Sequence, residues 1–268
     1  MGALMIASTN LPNTASTQLR LPRHAIVLGI SALAGCLFIL VLDLLFGGSA
    51  RGGAFWIGKG DAVFPYPFTI QNVEHVLFFI ALGELATRWR VSRWEASFLK
   101  RNFLPEDDQT IIEMSGLGAL RRNVTGQFDS DNGFLPYLID LSILQAQASR
   151  SVDQTVSVLN ATLELIAHKV DLRYQLLRYL AWAIPTVGFI GTVAGIASAL
   201  GLIDPENMEI RLVTGSLAVA FDTTIIALVW SAIIVLLLNL IQKEEELAVN
   251  RAGSYCLKNL INRLYLGA

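Results

Sequence analysis

Two charge-poor stretches in the last third of the chain carry its most distinctive polar side chains. Tyr179–Ile203 contains no charged residue, and Leu212–Ile241 contains only Asp222. At about 100° per residue, Gly188, Gly191, Gly195 and Ser198 fall on one narrow helix face, with Thr192 beside them. In the second stretch Ser216, Ala220, Thr223, Ala227 and Ser231 share a face, with Thr224 at its edge. Small residues on such faces let helix backbones approach closely in lipid, where apolar bulk alone gives no drive to associate. Hydroxyls at mid-membrane depth also suit the lining of a water-filled path. Periodicity admits both readings. Asp222 is a functional-site candidate because acids inside membranes are costly. On an ideal helix it points about 160° away from Thr224. A Thr224 that faces a pore would therefore turn Asp222 towards a neighbouring span or subunit. A structural pair with His75 is one arrangement for it, and a neutral, hydrogen-bonded acid is another.

Other chemistries find little support. No nucleophile–base pair, phosphate loop or metal cluster stands out, which argues against an enzyme, and no cofactor or metal is expected. His24, His75 and His168 lie far apart and make no zinc spacing. Cys36 sits in an apolar run and Cys256 in the tail, so no disulfide is implied. A net charge of −2 without a basic tract gives no reason to expect nucleic acid.

The elements that must hold these residues follow from hydropathy. Hydrophobic residues make up 53% of the 268-residue chain, and the mean hydropathy is +0.52, which marks a membrane protein. Both stretches exceed the roughly 20 apolar residues that cross a bilayer. Joined by a short turn at 204–210, they predict an antiparallel hairpin of spans at 177–203 and 211–241. Upstream, 1–22 reads as a flexible terminus and 23–47 as a first span, because its apolar run exceeds the roughly 7–15 residues of a signal-peptide core. A Gly-, Pro- and aromatic-rich periplasmic loop, 48–67, leads to the weakest span, 68–87, which carries Glu74, His75 and Glu84. An interfacial helix competes there. Arg88, Arg90, Arg93, Lys100 and Arg101 follow at once, and the positive-inside rule makes them cytoplasmic. Four spans with both termini inside satisfy every count. Asp43, close to the outer interface, needs no special role, and Glu84 is expected to snorkel towards Arg88.

Residues 88–176 form a cytoplasmic insert. Pro105–Asp108 places acids where a helix start favours them, and Gly116, Gly118, Gly126 and Gly133 mark turns. From Leu135 the pattern turns helical, and from Leu138 to Val170 apolar residues repeat at 3.5–3.6 without Pro or Gly, which predicts one long helix running into the third span and packed on a tail helix, 242–268. The fold expected is an all-α membrane protein: four transmembrane helices, a helical cytoplasmic insert, and long helices extending from spans three and four into the cytoplasm.

The string PTVGFIGTVAGI, Pro185–Ile196, resembles the P-x-x-G-x-x-G-T-V-x-G-[IL] signature of the MotA/TolQ/ExbB proton-channel family. AFDTTIIAL, Ala220–Leu228, is similar to that family's next helix, where a Thr precedes a Leu by four residues. The resemblance implies a homopentamer around a dimer of a single-span MotB/TolR/ExbD-like subunit that bears a transmembrane Asp, in the bacterial inner membrane. Ion flow through that assembly drives rotation. It also implies that Thr192 and Thr224 face the ion path, with Thr223 a weaker candidate, that Pro185, Gly188, Gly191 and Gly195 serve helix packing, and that the ion is H⁺, with Na⁺ the alternative. The four-span layout is closest to flagellar stators, although no match to their charged rotor-gripping helix is present. Two other readings are an oligomeric scaffold that conducts nothing and a self-contained transporter.

Overall fold

The computed structural model describes residues 23–61, 63–107, 110–124, 128, 133–203 and 209–265. The expected flexible terminus at 1–22, most of the turn at 204–210, and the turn and helix-start signals at Gly126 and Asp108 lie outside the described residues. Helices dominate: α1 (Arg23–Phe46), α2 (Ala50–Ile57), α3 (Ile70–Phe98), α4 (Met114–Arg122), α5 (Phe134–Ser149), α6 (Val152–Arg173), α7 (Gln175–Gly201) and α8 (Ile210–Asn259). A two-residue strand β1 (Ile112–Glu113) pairs in parallel with β2 (Leu264–Tyr265), tying the end of the tail to the insert.

Three helical stretches among the described residues are long and apolar enough to cross a membrane: Ala25–Phe46, Val152–Gly201 and Ile210–Arg263. α3 is 29 residues long yet falls outside that set. Its polar residues are the reason, and they point inward. Gln71, Asn72, Glu74, His75, Glu84 and Arg88 are all buried, where α3 packs along α1, α7 and α8. The Thr69 side chain starts α3 by accepting the Asn72 N–H at 3.3 Å.

Three local expectations are corrected. The loop at 48–67 contains α2, started by the Ser49 hydroxyl and stopped by Gly58 at φ 66. It packs against α1, α3 and α8. Pro105–Asp107 opens no helix, and the next one begins only at Met114. The single helix expected from Leu135 into the membrane is broken at Arg150, which takes φ 48, and restarts with the Ser151 hydroxyl accepting the Gln154 N–H. Ser151 with Asp153 in the first turn is a helix-start signal that the unbroken apolar repeat had masked. The resulting α5–α6 hairpin packs on α8. Phe98, Leu117, Phe134, Leu138, Ile143 and Cys256 form its core.

Candidate functional site

The glycines of α7 bring its backbone onto α8. A Cβ at Gly188 would overlap the Ala227 methyl and stand 3.2 Å from the Thr223 carbonyl oxygen, and one at Gly195 would stand 2.6 Å from the Ala220 Cβ. Within this seam three hydroxyls share two carbonyls. The Gly188 oxygen accepts from Thr223 and Thr224 at 3.1 Å and from Thr192 at 3.2 Å. The Ala220 oxygen accepts from Thr223 at 2.7 Å and from Thr192 at 2.9 Å. Thr192 and Thr224 also bond hydroxyl to hydroxyl. Each hydroxyl has one proton and two acceptor lone pairs, so rotating a hydroxyl exchanges partners without breaking the seam. Thr192 and Thr224 are half-buried at its edge, whereas Thr223 is buried inside it.

Pro185 lies within α7 and has no N–H for the carbonyl of Ala181, one turn earlier. The Ser231 hydroxyl of α8 donates to that oxygen at 2.9 Å. The missing helix bond thus becomes a second tie between the two helices. The sequence placed Ser231 on the small-residue face but did not give it this partner.

His75 and Asp222 are not brought together. His75 Nδ1 accepts from the indole N–H of Trp230 at 3.0 Å, and Nε2 donates to the Trp56 carbonyl at 2.8 Å. An indole only donates and a carbonyl only accepts, so the imidazole is the neutral Nε2–H tautomer with both nitrogens occupied. Phe38 stands edge-on to this ring, and Phe78 stacks on Trp230 at 4.0 Å. Asp222 is half-buried beside exposed Phe221 and Ile225. The reason is axial: Trp230, about 12 Å further along α8, is the residue that meets His75.

Two other acids differ from expectation. Glu84 does pair with Arg88, its Oε1 accepting from Nε and a terminal nitrogen at 3.0 Å, but both residues are buried rather than snorkelling. Asp43 bonds Lys59 and the Tyr66 hydroxyl, which ties α1 to the following loop. Glu74, noted in the sequence only for weakening a span, is buried against Gly188. At one end of the seam, Asp61, Ser198 and Ser216 line a small polar cleft with Gly191 and Gly195.

Below the seam, charge replaces hydroxyls. Glu245 of α8 is fully buried, accepting from the Tyr174 hydroxyl at 2.7 Å and from Arg173 at 3.1 Å. Burial, with Glu245 beside it, pushes the Tyr174 phenol far above the usual range. Tyr174 is also where α6 gives way to α7, and Arg178 clasps Asp171 across that junction at 3.0 Å. Glu95 accepts the N–H groups of Gly133 and Phe134 at 2.7 and 2.8 Å, seating the start of α5. Burial pushes its carboxyl up against the pull of those amides.

A family model described as MotA/TolQ/ExbB proton channel family matches residues 137–252, which takes in most of α5, all of α6 and α7, and α8 as far as Ala252. No curated protein matches the chain, and no solved structure does.

Proposed function

We propose, from the match of residues 137–252 to the MotA/TolQ/ExbB proton channel family, that the chain is the channel-forming subunit of a proton-driven rotary membrane motor. In this reading five copies surround a dimer of a MotB/TolR/ExbD-like subunit in a bacterial inner membrane. α1, α3 as far as Thr87, α7, and α8 as far as Ile241 are the four spans, with both termini in the cytoplasm. The observation that carries the reading is the α7–α8 seam. Thr192, Thr223 and Thr224 share the Gly188 and Ala220 carbonyls there. These neutral groups give and take hydrogen bonds within helices otherwise almost free of charge. An acid on the partner helix, passing the half-buried edge at Thr192 and Thr224, meets donors when charged and acceptors when protonated, which lowers the cost of its transit through hydrocarbon. Protons fit this cluster better than Na⁺, because hard cations gather about six or more oxygens.

Native mass spectrometry of the complex, co-expressed with its genomic neighbours, tests the assembly. Five copies with two of a single-span protein is the expected result, and a monomer or dimer overturns it. Thr224→Val, nearly isosteric, is expected to abolish proton flux with assembly intact. Unchanged flux and output would leave only an oligomeric scaffold.

A further inference from the structure

The first turns of α3 hide a carboxyl that none of the roles above uses. Glu74 has 0% exposure, and neither of its oxygens has a hydrogen-bond partner among the described residues. A charge left unpaired in such a place carries a desolvation cost that binding a proton removes. Its position is set from both sides. On α3, the adjacent His75 is anchored by Trp56 and Trp230, so the helix is not free to turn Glu74 outward. On α7, Gly188 makes the room: a Cβ there would stand 3.1 Å from the Glu74 Oε1. Gly188 is also the residue whose carbonyl receives the three threonine hydroxyls. Carboxyl and hydroxyl cluster therefore meet at a single residue of α7, which in any other amino acid would wedge them apart. The cleft of Asp61, Ser198 and Ser216 reaches the same glycine face from one end of the seam.

We propose that Glu74 is a proton-binding group of the channel carried by this chain itself, loading and releasing a proton beside the threonine cluster in each conduction cycle. The inference rests on the channel reading above. Loading forms one O–H bond on a carboxylate oxygen and breaks one on the hydronium that delivers the proton. Release to water reverses both. A hydroxyl that hands a proton on receives one from behind, so no threonine changes charge.

Glutamine separates this role from a structural one, because it reproduces the shape and neutrality of the protonated acid but cannot ionise. The experiment measures proton flux into vesicles holding the complex with its single-span partner. It compares wild type, Glu74→Gln, Glu74→Asp and Thr224→Val, with subunit counts from native mass spectrometry. Glu74→Gln is expected to assemble and to lower flux by about a hundredfold, the scale of a lost proton-transfer group. Glu74→Asp is expected to conduct with a displaced pH profile. Wild-type flux in an assembled Glu74→Gln overturns the proposal, and if Thr224→Val is then inactive the channel reading still stands. A wild-type complex that passes no protons overturns the channel reading and this inference together. If Glu74→Gln fails to assemble, Glu74→Asp decides: a displaced pH profile supports the proposal, and an unchanged one overturns it.

Discussion

α8 is a single 50-residue helix whose two halves are held by different chemistry. Along its first half, polar ties to α7 and α3 are made by neutral groups: Thr223, Thr224 and Ser231 hydroxyls on carbonyls, and the Trp230 indole on an imidazole. Along its second half the main tie is charged, Glu245 with Arg173 and Tyr174, within an apolar core of Val249, Ala252 and Cys256. Hydrogen bonds between membrane helices average about 0.6 kcal/mol, because the separated helices find other partners. Removing one member of a buried charged group costs about 3–5 kcal/mol, because its partners are left uncompensated. The difference assigns labour along one rod. The hydroxyl half can exchange partners at little cost, as the proposed ion path requires, while the charged half ties the α6–α7 junction to α8.

Glu245→Ala is the strongest way to break that contrast. It removes the buried carboxylate that Arg173 and the Tyr174 hydroxyl share and is expected to cost about 3–5 kcal/mol, read as a lower melting temperature of the complex in detergent. A melting temperature equal to wild type would mean that the apolar core alone holds the lower half. Gly188→Val attacks the upper half through shape. The added branch overlaps Ala227 and crowds Thr223, and overpacking of this kind costs about 1–3 kcal/mol. Because the same carbonyl anchors the hydroxyls, flux is expected to fall further than the melting temperature does. Equal flux would separate the cluster from conduction.

The contrast also has a pH signature. The Tyr174 phenol is raised above its ordinary value, first by burial and then by Glu245. The folded state therefore keeps a proton that the unfolded chain releases near pH ~10. Its contribution is complete below that pH and falls as pH rises above it, by at most about 1.4 kcal/mol per pH unit. Alkaline melting curves of wild type should therefore steepen relative to those of Tyr174→Phe, and parallel curves would remove the coupling.

What the sequence disclosed and what it withheld follow from the range of the signals. Apolar runs at helical period are local, so the stretches holding α1, α7 and α8 were legible as spans, and the small-residue faces of α7 and α8 were legible as faces. α3 was harder, since composition cannot show that Glu74, Glu84 and Arg88 point into the protein rather than towards lipid. The break at Arg150 was missed because a non-glycine residue adopts the left-handed turn there and the apolar repeat continues across it. Pairings were the least visible. His75 found Trp230, far along the chain, and no spacing rule links an imidazole to an indole on another helix.

The smallest effect is expected at Ser231, where the comparison is sharpest. Its hydroxyl satisfies the Ala181 carbonyl that Pro185 leaves free. Ser231→Ala removes that donor without opening a cavity, and should cost about 0.6 kcal/mol, the average for hydrogen bonds between membrane helices. Pro185→Ala restores the N–H within α7 and makes the serine redundant. The double variant is therefore expected to melt no lower than Pro185→Ala alone, and this non-additivity is the measurement that isolates the bond. Strict additivity would show that proline and serine act independently. A loss from Ser231→Ala as large as that from Glu245→Ala would mean that the first half of α8 is held as rigidly as the second, and the division of labour along α8 would fail.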